Sequence, residues 1–388
     1  MAEKEIFPYF AGAPASNPLG AIATWTLQNA PPKAEKVLRD INGLNAEAFD
    51  RSPKREIKEF ETIPLRSPII FASAIRTEII QGDRRNPEPT IKKNLENALR
   101  LIDMAVSGYD EVDLVALPEL FLGAPGITLP DTTREDFLKM ARTIPGEETD
   151  RLGEMAKKHN IYITGSMYTK DDEWPNHFFH TSFIIGPNGK VIHTHWKAHG
   201  RPGCFEWATT AHDVLDEFVK RYGWDAIWPV ARTDIGNIAT LVCSEGHNPE
   251  TWRAFAFKGA EIYVWMMTSR NESFKYIIQA MCAFSGCYGI LSEPTLGQAS
   301  LIVDPNGRIL QENNRYEYIT EGLHIEDLRR IRRRVVGAIG PIPILRSSLY
   351  VHIYSNPDYE RYPANLYLKY LPKNGADAER YAKECARW

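Results

Sequence analysis

Three residues in this chain are of types that could do chemistry together: a thiol, a carboxylate and an ammonium. Cys243 closes the apolar run Ile238-Ala239-Thr240-Leu241-Val242 and opens a short polar turn, Ser244-Glu245-Gly246-His247-Asn248. A helix start follows, with Pro249 suited to the first helical position and Glu250 to the positive end of the dipole. A thiol at a strand end facing a helix N-terminus is placed to be held as thiolate and to attack. The competing reading is a buried apolar cysteine, the commoner fate of this residue type. Glu119 stands at the end of another predicted strand, immediately after Pro118, where a carboxylate serves as general base only if it reaches the proton it takes. Lys197 lies in His195-Trp196-Lys197-Ala198-His199, just after a third strand. Read singly, these two are a strand-end Glu in solvent and a surface lysine.

Taken in order, the three segments resemble the catalytic blocks of the nitrilase superfamily of carbon–nitrogen hydrolases. Members of that superfamily carry a strand, the nucleophilic Cys, then a Pro, often Pro-Glu, at the sixth and seventh positions after it. Cys243, Pro249 and Glu250 keep that spacing, and Thr251-Trp252-Arg253 extends it in the manner of amidase members. Leu117-Pro118-Glu119-Leu120-Phe121 resembles the first catalytic block, and Lys197-Ala198-His199 fits the second. Trp196 departs from the pattern, since many members carry Arg there. The resemblance implies Glu119 as general base, Lys197 as the ammonium beside an oxyanion, and Cys243 as nucleophile. It also makes Glu206, nine residues after Lys197, a candidate for the supporting carboxylate found in many of these enzymes. Ser244, His247 and Arg270 are the candidate substrate-binding residues, and no metal or cofactor is implied.

The implied reaction is amide hydrolysis through a Cys thioester, with a small neutral amide as substrate and aliphatic amidases and formamidases as the nearest types. Two alternatives stay open: hydrolysis of a nitrile, and hydrolysis of an N-carbamoyl amine or amino acid. Carbamoyl-acid hydrolases of the superfamily place Arg in the turn after the nucleophile, where it clamps a carboxylate. Here that turn offers Glu245, expected to repel an anionic substrate unless Arg201 or Arg270 reaches in. Cys243-Ser244-Glu245 also resembles the Cys-x-Glu turn of true nitrilases, whereas Gly286-Cys287-Tyr288 looks more like an amidase segment. A metal-dependent amidohydrolase is a rival class, because His193 and His195 alternate on one strand face. The pair falls mid-chain without the later His and Asp ligands such enzymes need. A scaffold that kept the fold and lost activity is weaker still, because all three catalytic residue types remain.

The elements that must position these residues are legible as apolar periodicity. Strands are expected at 69–75, 112–117, 161–167, 178–185, 190–195, 238–242, 262–266, 287–291, 298–303 and 308–311. Thr90 is read as the cap of a helix whose face is Ile91, Leu95, Ala98, Ile102 and Ala105. Further helices are expected at 148–159, 211–222, 249–258 and 272–285, and a short one at 33–42. Two successive β-α-β-α-β-β halves predict an α/β fold, a four-layer α-β-β-α sandwich of two sheets with outer helices, which the resemblance also implies. Residues 1–65 read as an N-terminal extension, 66–326 as the carbon–nitrogen hydrolase domain, and 327–388 as a C-terminal tail.

The 388 residues, 43% of them hydrophobic, can bury a large core. A net charge of −4 argues against a general nucleic-acid or membrane-surface binder. Five cysteines, odd in number and without metal spacing, predict free thiols in a reducing compartment, the cytoplasm by default. No membrane span and no signal peptide are expected. Arg329, Arg330, Arg332, Arg333 and Arg334 are read as a solvated or interface helix. The tail, with seven tyrosines from Tyr350 to Tyr381, is expected to lie across a neighbouring subunit as the arm of a homo-oligomer.

Overall fold

A computed structural model describes residues 60–108, 111–125, 130–200, 207–268, 271–295, 299–332, 346–356, 358–359 and 362–385. The helix expected at 33–42 lies outside these residues.

Strands β1 (Ile70–Ile75), β2 (Leu114–Ala116) and β3 (Tyr162–Thr169) are parallel neighbours, and β4 (Phe179–Ile185) and β5 (Val191–Trp196) continue the sheet antiparallel. Helices α1 (Glu88–Ser107), α2 (Arg134–Met140) and α3 (Glu147–His159) connect them. After α4 (Leu215–Tyr222) the second half begins with β6 (Ala231–Thr233) and β7 (Gly236–Val242). It continues through α5 (Pro249–Phe257), β8 (Ile262–Met266), α6 (Ser273–Ser285), β9 (Tyr288–Ser292), β10 (Ser300–Val303) and β11 (Ile309–Asn313). Strand β12 (Tyr318–Leu323) then crosses back to pair antiparallel with β1. The result is two six-stranded sheets, ordered β12-β1-β2-β3-β4-β5 and β11-β10-β9-β8-β7-β6.

The alternation of side chains along each strand sorts them into the layers. Ile70, Ala72, Ala74, Leu114 and Ala116 of the first sheet meet Ile238, Val242, Ile262, Val264 and Met266 of the second in the central core. Their neighbours Val115, Leu117 and Ile163 face outward against Ile91, Leu95 and Ile102 of α1 and Leu152 and Ala156 of α3. On the other side Tyr263, Trp265 and Leu291 pack on Trp252 and Phe255 of α5 and Phe274 and Ile278 of α6. Sheets covered on both faces need nearly unbroken apolar strands, which is what these segments are. The expected α-β-β-α sandwich is the one observed.

Some local expectations need correction. Thr90 does not cap α1: that helix starts at Glu88 behind Pro87, so Thr90 lies within its first turn. Strands β6 and β12 and helix α2 were not anticipated, because β6 is three residues long and β12 carries Thr320, Glu321 and Gly322 among its apolar positions. Of the arginine cluster, Arg333 and Arg334 lie outside the described residues, and Arg329 and Arg332 are not solvated. Arg329, on α7 (Ile325–Arg332), makes a two-pronged contact with the buried Glu261 at 2.8 and 2.9 Å. Arg332 donates to the carbonyls of Ala260 and Gly286. These charges tie α7 to the β8 and β9 starts.

The tail divides in two. Residues 346–356 leave Leu349, Tyr350, Val351 and Tyr354 exposed. Leu366, Tyr367 and α8 (Gly375–Cys385) instead pack on the same chain, against Phe179, Val214 and Phe218 and, through Ala378, against Phe137, Phe178 and Trp207. Arg134 fixes this seat: its guanidinium stacks on Trp207 at 4.8 Å and donates to the Pro372 carbonyl at 2.7 and 2.9 Å. The tail therefore has an intramolecular use that its tyrosine content did not signal. No helix among the described residues is long and apolar enough to cross a membrane.

Candidate active site

The C-terminal ends of the parallel strands from both sheets meet along one rim. The hydroxyl of Ser292, at the end of β9, donates to the carbonyls of Ile75 and Ala116, the last residues of β1 and β2, at 2.9 and 3.2 Å. Strand β5 runs parallel to β3, being two antiparallel steps away, so it ends at the same rim. Ser182 of β4 and Thr240 of β7 join the two sheets by a buried hydroxyl pair at 2.8 Å. Glu119 follows β2, Lys197 follows β5 and Cys243 follows β7. The fold thus brings all three sequence-predicted catalytic residues to one rim between the sheets.

Glu119 and Lys197 are buried at 3% and 2% exposure, unlike the solvated side chains their types usually give. Glu119 Oε1 lies 3.9 Å from Nδ1 of the fully buried His180. The His180 carbonyl accepts the Lys197 N–H at 2.8 Å, and Ser166 Oγ contacts His180 Nε2 at 3.3 Å. Ser166 Oγ also accepts the Leu120 N–H at 3.3 Å, which anchors the turn just after Glu119. Leu120 has φ +49° and Cys243 has φ +50°, left-handed conformations that side-chain-bearing residues rarely adopt. A backbone cost of about 1–3 kcal/mol at each position persists only where the surroundings enforce it.

For Cys243 the enforcing contacts are visible. Trp265 Nε1 donates to the Cys243 carbonyl and Trp252 Nε1 to the Gly246 carbonyl, each at 2.9 Å. The turn Cys243–His247 is a single 3-10 helix leading through Asn248 into α5. Cys243 is partly exposed, whereas Cys282 and Cys287 are fully buried and burial pushes both thiols up, away from thiolate.

Glu245 overturns the expectation that it would repel an anionic substrate. Its side chain is fully buried and turned inward. Oε1 accepts the Ala198 N–H at 2.7 Å and contacts His195 Nε2 at 3.0 Å, and Oε2 accepts the Val242 N–H at 2.9 Å. Burial alone would raise this carboxyl, but the charge of His195 and these hydrogen bonds hold it below the usual range. The residue reads as exposed in a polar turn, yet an acid three residues after a strand's last N–H can fold back onto that N–H. His195, on the inward face of β5, was the available clue to its partner.

Ser244 is buried, and its hydroxyl donates to the His199 carbonyl at 3.2 Å, which ties the turn to the segment after Lys197. The His247 ring is exposed and lies against Phe274, with centroids 5.0 Å apart. Glu206, Arg201 and Arg270 lie outside the described residues. Trp196, where the resemblance expected Arg, stacks on Phe179 at 3.8 Å within an aromatic cluster that includes Trp174 and Phe218. Among the described residues no three His, Cys, Asp or Glu side chains are grouped to hold a metal ion.

Comparison with known proteins agrees with this architecture. The chain is similar to a beta-ureidopropionase of Arabidopsis thaliana, 33% identical over 236 residues, covering 60% of this chain and 52% of the relative. It is also similar to a formamidase of Bacillus cereus (strain B4264), 26% identical over 207 residues, covering 49% of this chain and 55% of the relative. The chain thus spans about half the length of the curated relatives it matches. Among solved structures, a carbon-nitrogen hydrolase from Helicobacter pylori G27 superposes with a TM-score of 0.61 at 17% identity, covering 74% of this chain and 99% of that one. At that identity the likeness speaks for the fold. The profile of the carbon-nitrogen hydrolases matches residues 78–333, and the chain belongs to that family.

Proposed function

We propose that this protein is a thiol-dependent amidase, cleaving a small neutral amide to a carboxylate and ammonia. The observation that carries the reading is the strained Cys243, held at φ +50° on the rim to which Glu119 and Lys197 are also delivered. Cys243 attacks the carbonyl carbon while Glu119 accepts its proton. Lys197, with the backbone N–H just after Cys243, stabilises the tetrahedral oxyanion. Glu119 returns the proton to the leaving amine, and water activated by the same carboxylate hydrolyses the thioester. Glu206 is proposed as the supporting carboxylate, and His247 and Arg270 as groups that contact substrate. The chemistry needs no metal or organic cofactor.

A second reading, hydrolysis of an N-carbamoyl amine or amino acid, is favoured by one specific observation. With Glu245 buried and bonded, its charge is turned away from a substrate carboxylate, and the Arabidopsis thaliana protein to which the chain is similar is a beta-ureidopropionase. Ammonia release from an amide, its nitrile and its carbamoyl amino-acid analogue, with Cys243→Ala as control, separates the readings. A higher kcat/KM for the carbamoyl compound or the nitrile than for the amide would overturn the amidase assignment.

The unbridged described thiols fit a reducing compartment, and we place the enzyme in the cytoplasm. We further propose a homo-oligomer joined through the exposed apolar segment around Leu349, Tyr350, Val351 and Tyr354.

A further inference from the structure

We infer that Glu245 is a positioning residue for the hydrolase, the carboxylate that sets the lysine-bearing segment and the nucleophile turn in one fixed relation. The inference rests on the catalytic reading of Lys197 and Cys243 given above. Its two oxygens reach backbone on both sides of the site. Oε1 accepts the N–H of Ala198, the residue directly after Lys197, and Oε2 accepts the N–H of Val242, the residue directly before Cys243. The Ala198 N–H belongs to the peptide that joins Lys197 to Ala198, and the Val242 N–H to the peptide one step ahead of the one that joins Val242 to Cys243. His195 Nε2, 3.0 Å from Oε1, braces the carboxylate from β5, and Phe255 packs edge-on against that imidazole at 5.5 Å.

The geometry requires a carboxylate. Two acceptor oxygens meet donors from opposite sides, with no place among these partners for a side-chain donor. An amide keeps only one oxygen. Its NH₂ would face either the Ala198 N–H or the Val242 N–H, so one of the two segments is released. Asp retains the charge but is one methylene too short to span both. The second tie between the segments, Ser244 Oγ to the His199 carbonyl at 3.2 Å, is a single neutral bond. It cannot replace two charge-assisted ones. Misplacement of about 1 Å between nucleophile and oxyanion donor is enough to cost on the order of 100-fold in rate.

The test compares Glu245→Gln, Glu245→Asp and His195→Gln with the parent, each normalised to folded protein. Two quantities are read: kcat and KM on an amide, and the rate at which iodoacetamide alkylates Cys243, followed by peptide mass. The expected result for Glu245→Gln is a kcat lowered about 100-fold with KM within about threefold, and alkylation of Cys243 slowed at least tenfold. Glu245→Asp should show the same pattern, and His195→Gln a weaker one of about tenfold in kcat. Turnover and alkylation in Glu245→Gln within threefold of the parent overturn the inference. So does a loss that merely follows the folded fraction, because a purely structural residue leaves each folded molecule fully active. If Glu245→Gln does not fold, His195→Gln decides, and an unchanged kcat and alkylation rate there overturn it. If the parent turns over no amide, the amidase reading fails, yet the alkylation rates still judge Glu245.

Discussion

The indole N–H of Trp265 donates to the backbone carbonyl of Cys243 at 2.9 Å, from a strand whose outward face packs against α5 and α6. Trp265 also walls the turn: a Cβ added at Gly246 would sit 2.3–2.6 Å from its indole ring atoms. One side chain thus fixes the carbonyl of the proposed nucleophile and dictates a glycine three residues later. Trp265→Phe keeps most of the packing and removes the hydrogen bond. The expected outcome is a kcat about tenfold lower with KM little changed, measured by steady-state kinetics. Gly246→Ala should cost about 1–3 kcal/mol in denaturant unfolding and lose most activity, because backbone or indole must move.

Glu119→Gln tests the general base. Loss of a positioned base costs about 10²–10⁴-fold in kcat. Gln keeps the shape of this buried side chain, so the variant should stay folded. A variant that keeps more than a tenth of parental kcat would remove Glu119 from the mechanism. One that melts well below the parent would make it a structural residue.

Much of this site was readable in the chain because strand-end residues are placed by topology. Once β2, β5 and β7 were recognised as strands, Glu119, Lys197 and Cys243 had to emerge at their C-terminal ends. The periodicity of Ile91, Leu95, Ala98, Ile102 and Ala105 gave the α1 face for the same reason: one stripe, one buried side. What was not readable depends on where side chains point inside turns and on contacts distant in sequence. Glu245 lies in a polar turn, and nothing local says that it reaches Ala198, 47 residues earlier in the chain. Arg329 reads as solvated until Glu261 is brought opposite it. The seat of the tail depends on Arg134 meeting the Pro372 carbonyl across more than two hundred residues of chain.

The divided tail gives two separable outcomes. Tyr350→Ser with Val351→Ser removes exposed apolar surface, so light scattering should show a smaller assembly with the fold retained. Leu366→Ala removes a buried side chain that packs beside Phe179 and Phe218. It should cost about 2–5 kcal/mol and lower the melting temperature whatever the assembly does. An unchanged assembly in the double variant would end the proposal that this segment joins subunits.

Acid should destabilise the protein through His193. Its imidazole lies on the inward face of β5, and Nε2 makes no hydrogen bond within the described structure. Burial, followed by the neighbouring charge of His195, lowers its pKa from the ordinary 6.5 to about 3. Between these two values the unfolded chain holds a proton that the folded one refuses. Stability is therefore complete above about pH 6.5, falls as the pH drops through that window, and stops falling near pH 3. The loss at pH 4.5 should be on the order of 3 kcal/mol from this residue. His193→Leu, matched in shape and unable to take a proton, should flatten the slope of unfolding free energy between pH 7 and pH 4.5 while leaving the plateau above pH 7 nearly unchanged. Urea unfolding at a series of pH values reads both quantities. An identical slope in parent and variant would show that His193 takes its proton in the folded protein as readily as in the unfolded chain.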